Sequence, residues 1–235
     1  GSSDPYALRR NLNGIIQIAW NSNFNIKFDF LLMKSLNFWK ENIKGISFEY
    51  ENIFNEILEF IKQRILSHLE EISIEKDIIN SIFNTELIPK SNLFAIYDLK
   101  NRVNVIKELK SSKIKLSLIK IISRYSKLAA KGNLETNIYS SKDIIEPNLF
   151  EKDSENEVLS FIKKIEILLS KYNWKYEELI EIFTCNIDVL SDLFDNNKGV
   201  MIMSEDLKIR ENRINLISLI RNFSLILCDF TLLNS

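Results

Sequence analysis

The sequence predicts an all-α protein built as an array of about nine helices. Three observations carry that prediction. Only 5 Gly and 3 Pro occur in 235 residues, too few turn-formers for an all-β chain of this size. Apolar residues recur at three- and four-residue spacing along most of the chain, the period of an amphipathic helix. Capping residues stand where those periodic stretches begin and end. The 37 Ile raise apparent strand propensity, so periodicity has to arbitrate. With 26 Asn beside them, they read as the codon bias of an AT-rich genome.

Asp4 and Pro5 read as an N-cap followed by Pro at the first helical position, opening a helix to about residue 20. Leu8, Leu12, Ile15, Ile16 and Ala19 form its apolar stripe. A second helix covers 28–44. A long third one, 50–69, places Ile53, Ile57, Phe60, Ile61 and Ile65 on one side. A short helix over 75–85 stops before Pro89. Helices over 91–109 and 113–131 follow, the latter with Gly132 and Asn133 as a C-cap. Residues 136–153 are polar, contain Pro147 and read as loop. Helices over 155–172 and 175–193 come next. Ser204 is the expected N-cap of the last helix, with Glu205 and Asp206 at its positive end, and that helix is expected to reach about residue 232.

Composition excludes several classes. An apolar fraction of 46% is too high for a disordered chain. Two Cys and one His cannot close a four-ligand zinc site or build a disulfide framework. No glycine-rich phosphate-binding motif is present. No run of about 18 apolar residues exists, because Arg221, Asn222 and Asp229 interrupt 214–233. No signal peptide is legible at the N-terminus. Cys185 and Cys228 read as reduced thiols of a cytoplasmic protein. A start at Gly1-Ser2-Ser3, without Met, reads as a piece of something longer.

The net charge of −1 conceals a segregation. Residues 1–40 carry +3, 41–98 −6, 99–134 +9, 135–206 −9 and 207–235 +2. Within the +9 block, Lys113, Lys120, Arg124, Lys127 and Lys131 fall along one helix side, with Ile114, Leu118, Ile121, Tyr125 and Leu128 opposite. Lys100, Arg102, Lys107 and Lys110 extend the charge onto the preceding helix. Such a row repels itself in isolation. It becomes favourable against phosphates, whose counterions it releases. The alternative is a solvated side that pairs with the acidic segments after folding.

In the last helix Arg210, Arg213 and Arg221 make a second row, beside Asn212. Arg grips phosphate bidentately or stacks on a base, and Asn offers both a donor and an acceptor. The alternative is that Arg213 pairs with Asp206 or another acid inside the fold. Other polar residues carry less. His68 beside Glu70 and Glu71 has no catalytic partner. Asp188, Asp192 and Asp195 read as the polar side of a helix end, not a metal site. No catalytic constellation is visible.

Two stretches carry a family resemblance. Asp4-Pro5-Tyr6-Ala7-Leu8-Arg9-Arg10, followed by Asn13-Gly14-Ile15-Ile16, resembles the D-P-[FY]-A-L-R-R signature of the bacterial glycyl-tRNA synthetase β subunit. Val200-Met201-Ile202-Met203-Ser204-Glu205-Asp206, then Arg210-Glu211-Asn212-Arg213, then Cys228-Asp229-Phe230-Thr231-Leu232-Leu233 resembles that family's C-terminal pattern. Leu193-Phe194-Asp195 is similar to the approach to it. Asn197-Lys198-Gly199 adds a short insertion, and Cys228 replaces a small residue.

The resemblance implies a C-terminal part of the β subunit. Residues 1–90 would be a helical region following an absent HD-type domain, and 91–235 a DALR-type anticodon-binding bundle. It implies tRNA-Gly and the α subunit as partners, no membrane, and a cytoplasmic α2β2 glycine–tRNA ligase whose α subunit uses ATP and Mg. The fragment itself would be non-catalytic, without cofactor or metal. The expected tRNA-binding residues are Arg210, Asn212, Arg213 and Arg221, the row Lys113, Lys120, Arg124, Lys127 and Lys131, and Arg9 and Arg10. Arg9 and Arg10 have a structural alternative, pairing with acids of the 50–69 helix. Two other readings of the whole are a helical scaffold whose basic side docks on an acidic protein, and the DALR domain of an arginyl enzyme.

Overall fold

The structure is a computed structural model and describes residues 4, 6–22, 24–43, 49–84, 87, 93–111 and 113–233, without the side chains of 113–115. Among the described residues there are ten α-helices, two short 3₁₀ turns and no strand. The helices are α1 (Leu8–Asn21), α2 (Phe28–Asn42), α3 (Tyr50–Glu71), α4 (Lys76–Phe83), α5 (Ile96–Ser111), α6 (Lys113–Ala129), α7 (Asp153–Leu169), α8 (Tyr176–Cys185), α9 (Ile187–Asp192) and α10 (Leu207–Leu225). The 3₁₀ turns are Pro147–Leu149 and Phe230–Leu232. The expected all-α class holds. Residues 1–79 and 89–103 form one compact unit, and 80–88 and 104–235 a second.

Several boundaries differ from the sequence reading. Pro5 lies outside the described residues, and the first helix opens at Leu8. Asp4 caps from a distance, its carboxylate accepting from the Arg9 amide at 3.2 Å. The tenth helix arises because 175–193 is broken at Asn186. The Asn186 side-chain amide donates to the Ile182 carbonyl at 2.7 Å and so competes with the backbone ladder. Asp206, not Ser204, caps α10, accepting from the amides of Lys208 and Ile209 at 2.8 and 3.1 Å. α10 ends at Leu225, and the chain turns into 3₁₀ instead of continuing to 232. Gly132 is needed for space: a Cβ there would collide with the Ile214 side chain.

In the first unit α1 and α2 both pack on α3. Ile16, Ala19, Ile61, Ile65 and Leu69 are buried. Burying such a side chain contributes about 1.5–3 kcal/mol relative to leaving it in water. The segment before α5 is tied to the start of α2, the Phe28 amide donating to the Phe94 carbonyl at 3.0 Å. Lys100 and Arg102 also belong to this unit and turn inward. Lys100 Nζ donates to the Trp20 carbonyl at 2.8 Å, and Arg102 is fully buried. They therefore do not extend an exposed basic surface.

His68 is buried, with its ring edge-on to Trp20 at 5.4 Å, and its Nε2 has no hydrogen-bond partner among the described residues. Desolvation holds its pKa below the ordinary imidazole value, against a smaller opposing effect of Glu71. The folded chain then binds fewer protons here than the unfolded chain, whose imidazole titrates near ~6.5. This contribution to stability is complete above that value and is lost as pH falls through the window beneath it. Urea midpoints at pH 7.5 and 5.5 are expected to fall further apart for the parent than for His68→Phe. Equal pH sensitivity in the two proteins would reject this assignment.

In the second unit α10 is the central element. It packs along α6 and against α7, and α6 also contacts the terminal 3₁₀ turn. Thirteen of the nineteen residues of α10 are buried, polar ones included. Its polar side chains hold the long 130–152 connection in place. Asn222 donates to the carbonyls of Glu135 and Ile138 at 2.7 and 2.8 Å. Asn212 grips the Glu146 peptide from both sides, accepting from its amide at 2.8 Å and donating to its carbonyl at 3.0 Å. A loop against a helix needs such partners for its backbone groups.

Candidate nucleic-acid interface

α6 separates its residue types as the sequence predicts. Leu118, Ile122, Tyr125 and Ala129 are fully buried. Ile121 and Leu128 sit half-buried at the margin. The Tyr125 hydroxyl donates to the Leu190 carbonyl at 2.9 Å, which fixes the roll of the helix, and burial pushes that phenol well above its ordinary pKa. The opposite side presents Lys120, Arg124 and Lys127, and Lys131 follows in the turn after the helix, which ends at Ala129 and not at the expected 131; all four are exposed. No carboxylate forms an ion pair with any of the four among the described residues. The side chain of Lys113, the fifth member of the row, lies outside the described residues.

A groove of about 530 Å³ runs beside this row. Lys120, Ser123, Arg124 and Lys127 line it from α6, and Thr231 and Leu233 from the chain's end. Its far wall is fixed by Asp229. That carboxylate accepts from the Thr231 amide and hydroxyl at 2.9 and 2.7 Å and from Asn84 at 2.7 Å. The Ser123 hydroxyl donates across to the Phe230 carbonyl at 2.8 Å. Arg124 lies over the Phe194 ring, its guanidinium carbon 4.1 Å from the centroid, and Phe194 is in turn edge-on to Tyr125 at 4.8 Å. This cation is held in one place by an aromatic surface, which contributes about 0.5–1 kcal/mol at an exposed site.

A second groove, of about 540 Å³, lies where the end of α6 meets the start of α10, and Lys131, Asn133, Arg210 and Asn215 line it together with Glu211. Arg210 is half-exposed there. The structure thus unites Arg210 with the far end of the α6 row, a pairing across about 80 residues that the two separate rows did not announce.

The other three residues expected on this surface are corrected. Arg213 is 3% exposed. Its Nε donates to Glu155 at 2.8 Å, one terminal nitrogen to Glu151 at 2.7 Å and the other to the Met201 carbonyl at 3.1 Å. Burial alone would lower its pKa, but Glu155 and Glu151 outweigh that and raise it. Its acid partners are in α7 and just before it; Asp206 is not among them. Asn212 is occupied by Glu146 as described. Arg221 is 7% exposed, donates to the Leu134 carbonyl at 2.6 Å and to Asn222 at 3.0 Å, and has its pKa lowered by desolvation. All three are buried and act as interior braces. The reason is that α10 has no solvent side where the 130–152 connection covers it.

Arg9 and Arg10 are exposed in the first turn of α1, in the other unit. Arg10 Nε is 3.6 Å from Asp4, a local pair in place of one with α3. Asp192 and Asp195 organise the turn around Lys198, Asp192 pairing with its ammonium at 2.8 Å. Hydrogen bonds from the Lys198 and Asn197 amides hold Asp195 below the ordinary carboxylate range. Sequence reasoning missed Phe194, Ser123 and Asp229 as parts of this surface. The only signal was that Phe194 and Asp229 stand in the stretches that carry the resemblance.

No helix among the described residues is long and apolar enough to cross a membrane. The family described as glycyl-tRNA synthetase beta subunit matches residues 1–84. The glycine–tRNA ligase beta subunit of Acaryochloris marina is 28% identical over 236 residues, covering 98% of this chain and 32% of that protein. That of Trichodesmium erythraeum is 29% identical over 237 residues, covering 98% and 32%. That of Lactococcus lactis subsp. lactis is 32% identical over 239 residues, covering 100% and 30%. This chain spans about a third of the length of the curated relatives it matches. Matched in this way from one end to the other, the chain is similar to a segment of the glycyl-tRNA synthetase β subunit.

Proposed function

We propose that this chain is a tRNA-binding segment of a glycine–tRNA ligase, contributing recognition of tRNA-Gly to a reaction whose ATP- and Mg-dependent chemistry resides on the α subunit. The second unit acts in this reading as the anticodon-binding bundle, and the assembly works in the cytoplasm. One observation supports it above the others: Lys120, Arg124, Lys127 and Lys131 are exposed in a row with no carboxylate paired to them among the described residues. Each phosphate neutralised by such a row releases counterions. Arg124 is already positioned by Phe194, so less side-chain freedom is lost when it binds. Phosphate contacts of this kind set register and carry no sequence information themselves. Base reading falls to the neighbouring groove, where Arg210, Asn133 and Asn215 offer donors and acceptors to an unstacked base.

A filter-binding titration of tRNA-Gly and a non-cognate tRNA at two salt concentrations tests this. Tighter binding of tRNA-Gly at both, with both affinities falling steeply as salt rises, is the expected result. Weak binding that treats the two tRNAs alike would favour a basic docking surface for an acidic protein instead.

A further inference from the structure

α2 is apolar on two sides, and only one of them is packed. Leu32, Met33 and Leu36 are half-buried on the side toward α3, and Phe28 is buried at the helix start. At 100° per residue, Phe30, Leu31 and Phe38 fall on the other side, while Trp39 falls on the packed side at the last turn of the helix. The four are 51%, 49%, 64% and 56% exposed. The charges within that stripe are Glu41 in the last turn and Lys34, which folds over Phe30 with its ammonium 5.4 Å from the ring centroid. On α1 and just after it, Ile15, Ile18 and Phe24 are exposed as well.

A stripe of two aromatic residues and a leucine left in water, with Trp39 exposed near its end, is the mark of an interaction site. With one cation and one carboxylate it offers nothing to phosphate. Its composition resembles a domain core cut in half, as permanent interfaces do. The curated relatives are about three times as long as this chain, so about two thirds of such a subunit lies outside it. Polypeptide tethered to the same chain meets this surface at high effective concentration. We propose that the outer side of α2 is covered, in the intact β subunit, by an apolar surface from the remaining two thirds of that subunit. This rests on the family match and is independent of the tRNA reading.

Maleimide labelling of Phe38→Cys in a Cys185→Ser background tests it, Cys228 being buried. The thiol is expected to react freely in the 235-residue chain. In the intact β subunit, without the α subunit, its reaction is expected to slow by about tenfold or more, as a contact that must open first would impose. Equal rates in the two would overturn the proposal. So would slowing that sets in only when the α subunit is added, which would make the α subunit the partner. Slow labelling of the 235-residue chain, with a doubled mass in light scattering, would also overturn it in favour of a second copy. Amide hydrogen exchange on the unsubstituted proteins guards against the substitution itself loosening the contact. Slower exchange of α2 in the intact subunit supports the proposal, and identical exchange in both overturns it.

Discussion

Arg213→Ala is expected to lower the stability of the second unit by about 3–5 kcal/mol, because it leaves a buried carboxylate without its counter-charge. Glu155 is the group left behind: it is fully buried and pairs with Arg213 at 2.8 Å. Its other oxygen accepts from the amides of Glu151 and Lys152 at the start of α7, so the damage reaches the helix terminus. Glu151 adds little, since it is 59% exposed and its attraction is screened by solvent. Adding Glu155→Gln to Arg213→Ala is expected to recover much of the loss, because the stranded charge is gone. Urea unfolding followed by circular dichroism measures both variants. A loss below about 1 kcal/mol for the single variant, the range of an exposed pair, would mean that Arg213 is not the brace described.

Replacing Lys120, Arg124 and Lys127 together with Ala is expected to do the opposite, leaving stability nearly intact and removing RNA affinity. Exposed substitutions of this kind usually change stability within about 0.5 kcal/mol each. Only Arg124 loses a defined contact, with Phe194. The slope of log affinity against log salt is expected to flatten by about 2–3, roughly one for each phosphate contact removed. Cognate and non-cognate tRNA should weaken alike, since these residues read backbone. An unchanged slope would remove the α6 row from the interface.

The contrast between these variants follows from what a helical wheel can show. α6 has one side against α10 and one in water, so spacing alone separated Lys120, Arg124 and Lys127 from Leu118 and Tyr125. α10 is enclosed twice, by α6 and α7 on one flank and by the 130–152 connection on the other. A wheel has no term for a covering loop, so Asn212, Arg213 and Arg221 read as a solvent row when they were satisfying loop carbonyls and Glu155. The charge pattern did contain the answer in outline. The acidic 135–206 segment supplies Glu151 and Glu155 to a cation of the following segment. It leaves the α6 cations alone, and no count of charges along the chain distinguishes those outcomes. Helix interiors were legible for the same reason that their ends were not. Periodicity belongs to the segment, whereas a cap such as Asp206 or a break such as Asn186 depends on which side-chain oxygen or amide reaches the backbone first.

The most direct measurement is the acetylation rate of individual lysines, read by mass spectrometry with and without bound tRNA-Gly. Slower acetylation of Lys120, Lys127 and Lys131 in the complex is the predicted result, with the Arg213→Ala, Glu155→Gln protein showing the same protection wherever it remains folded. Unaltered reactivity of those three lysines in a chain saturated with tRNA would contradict the assignment of the α6 surface.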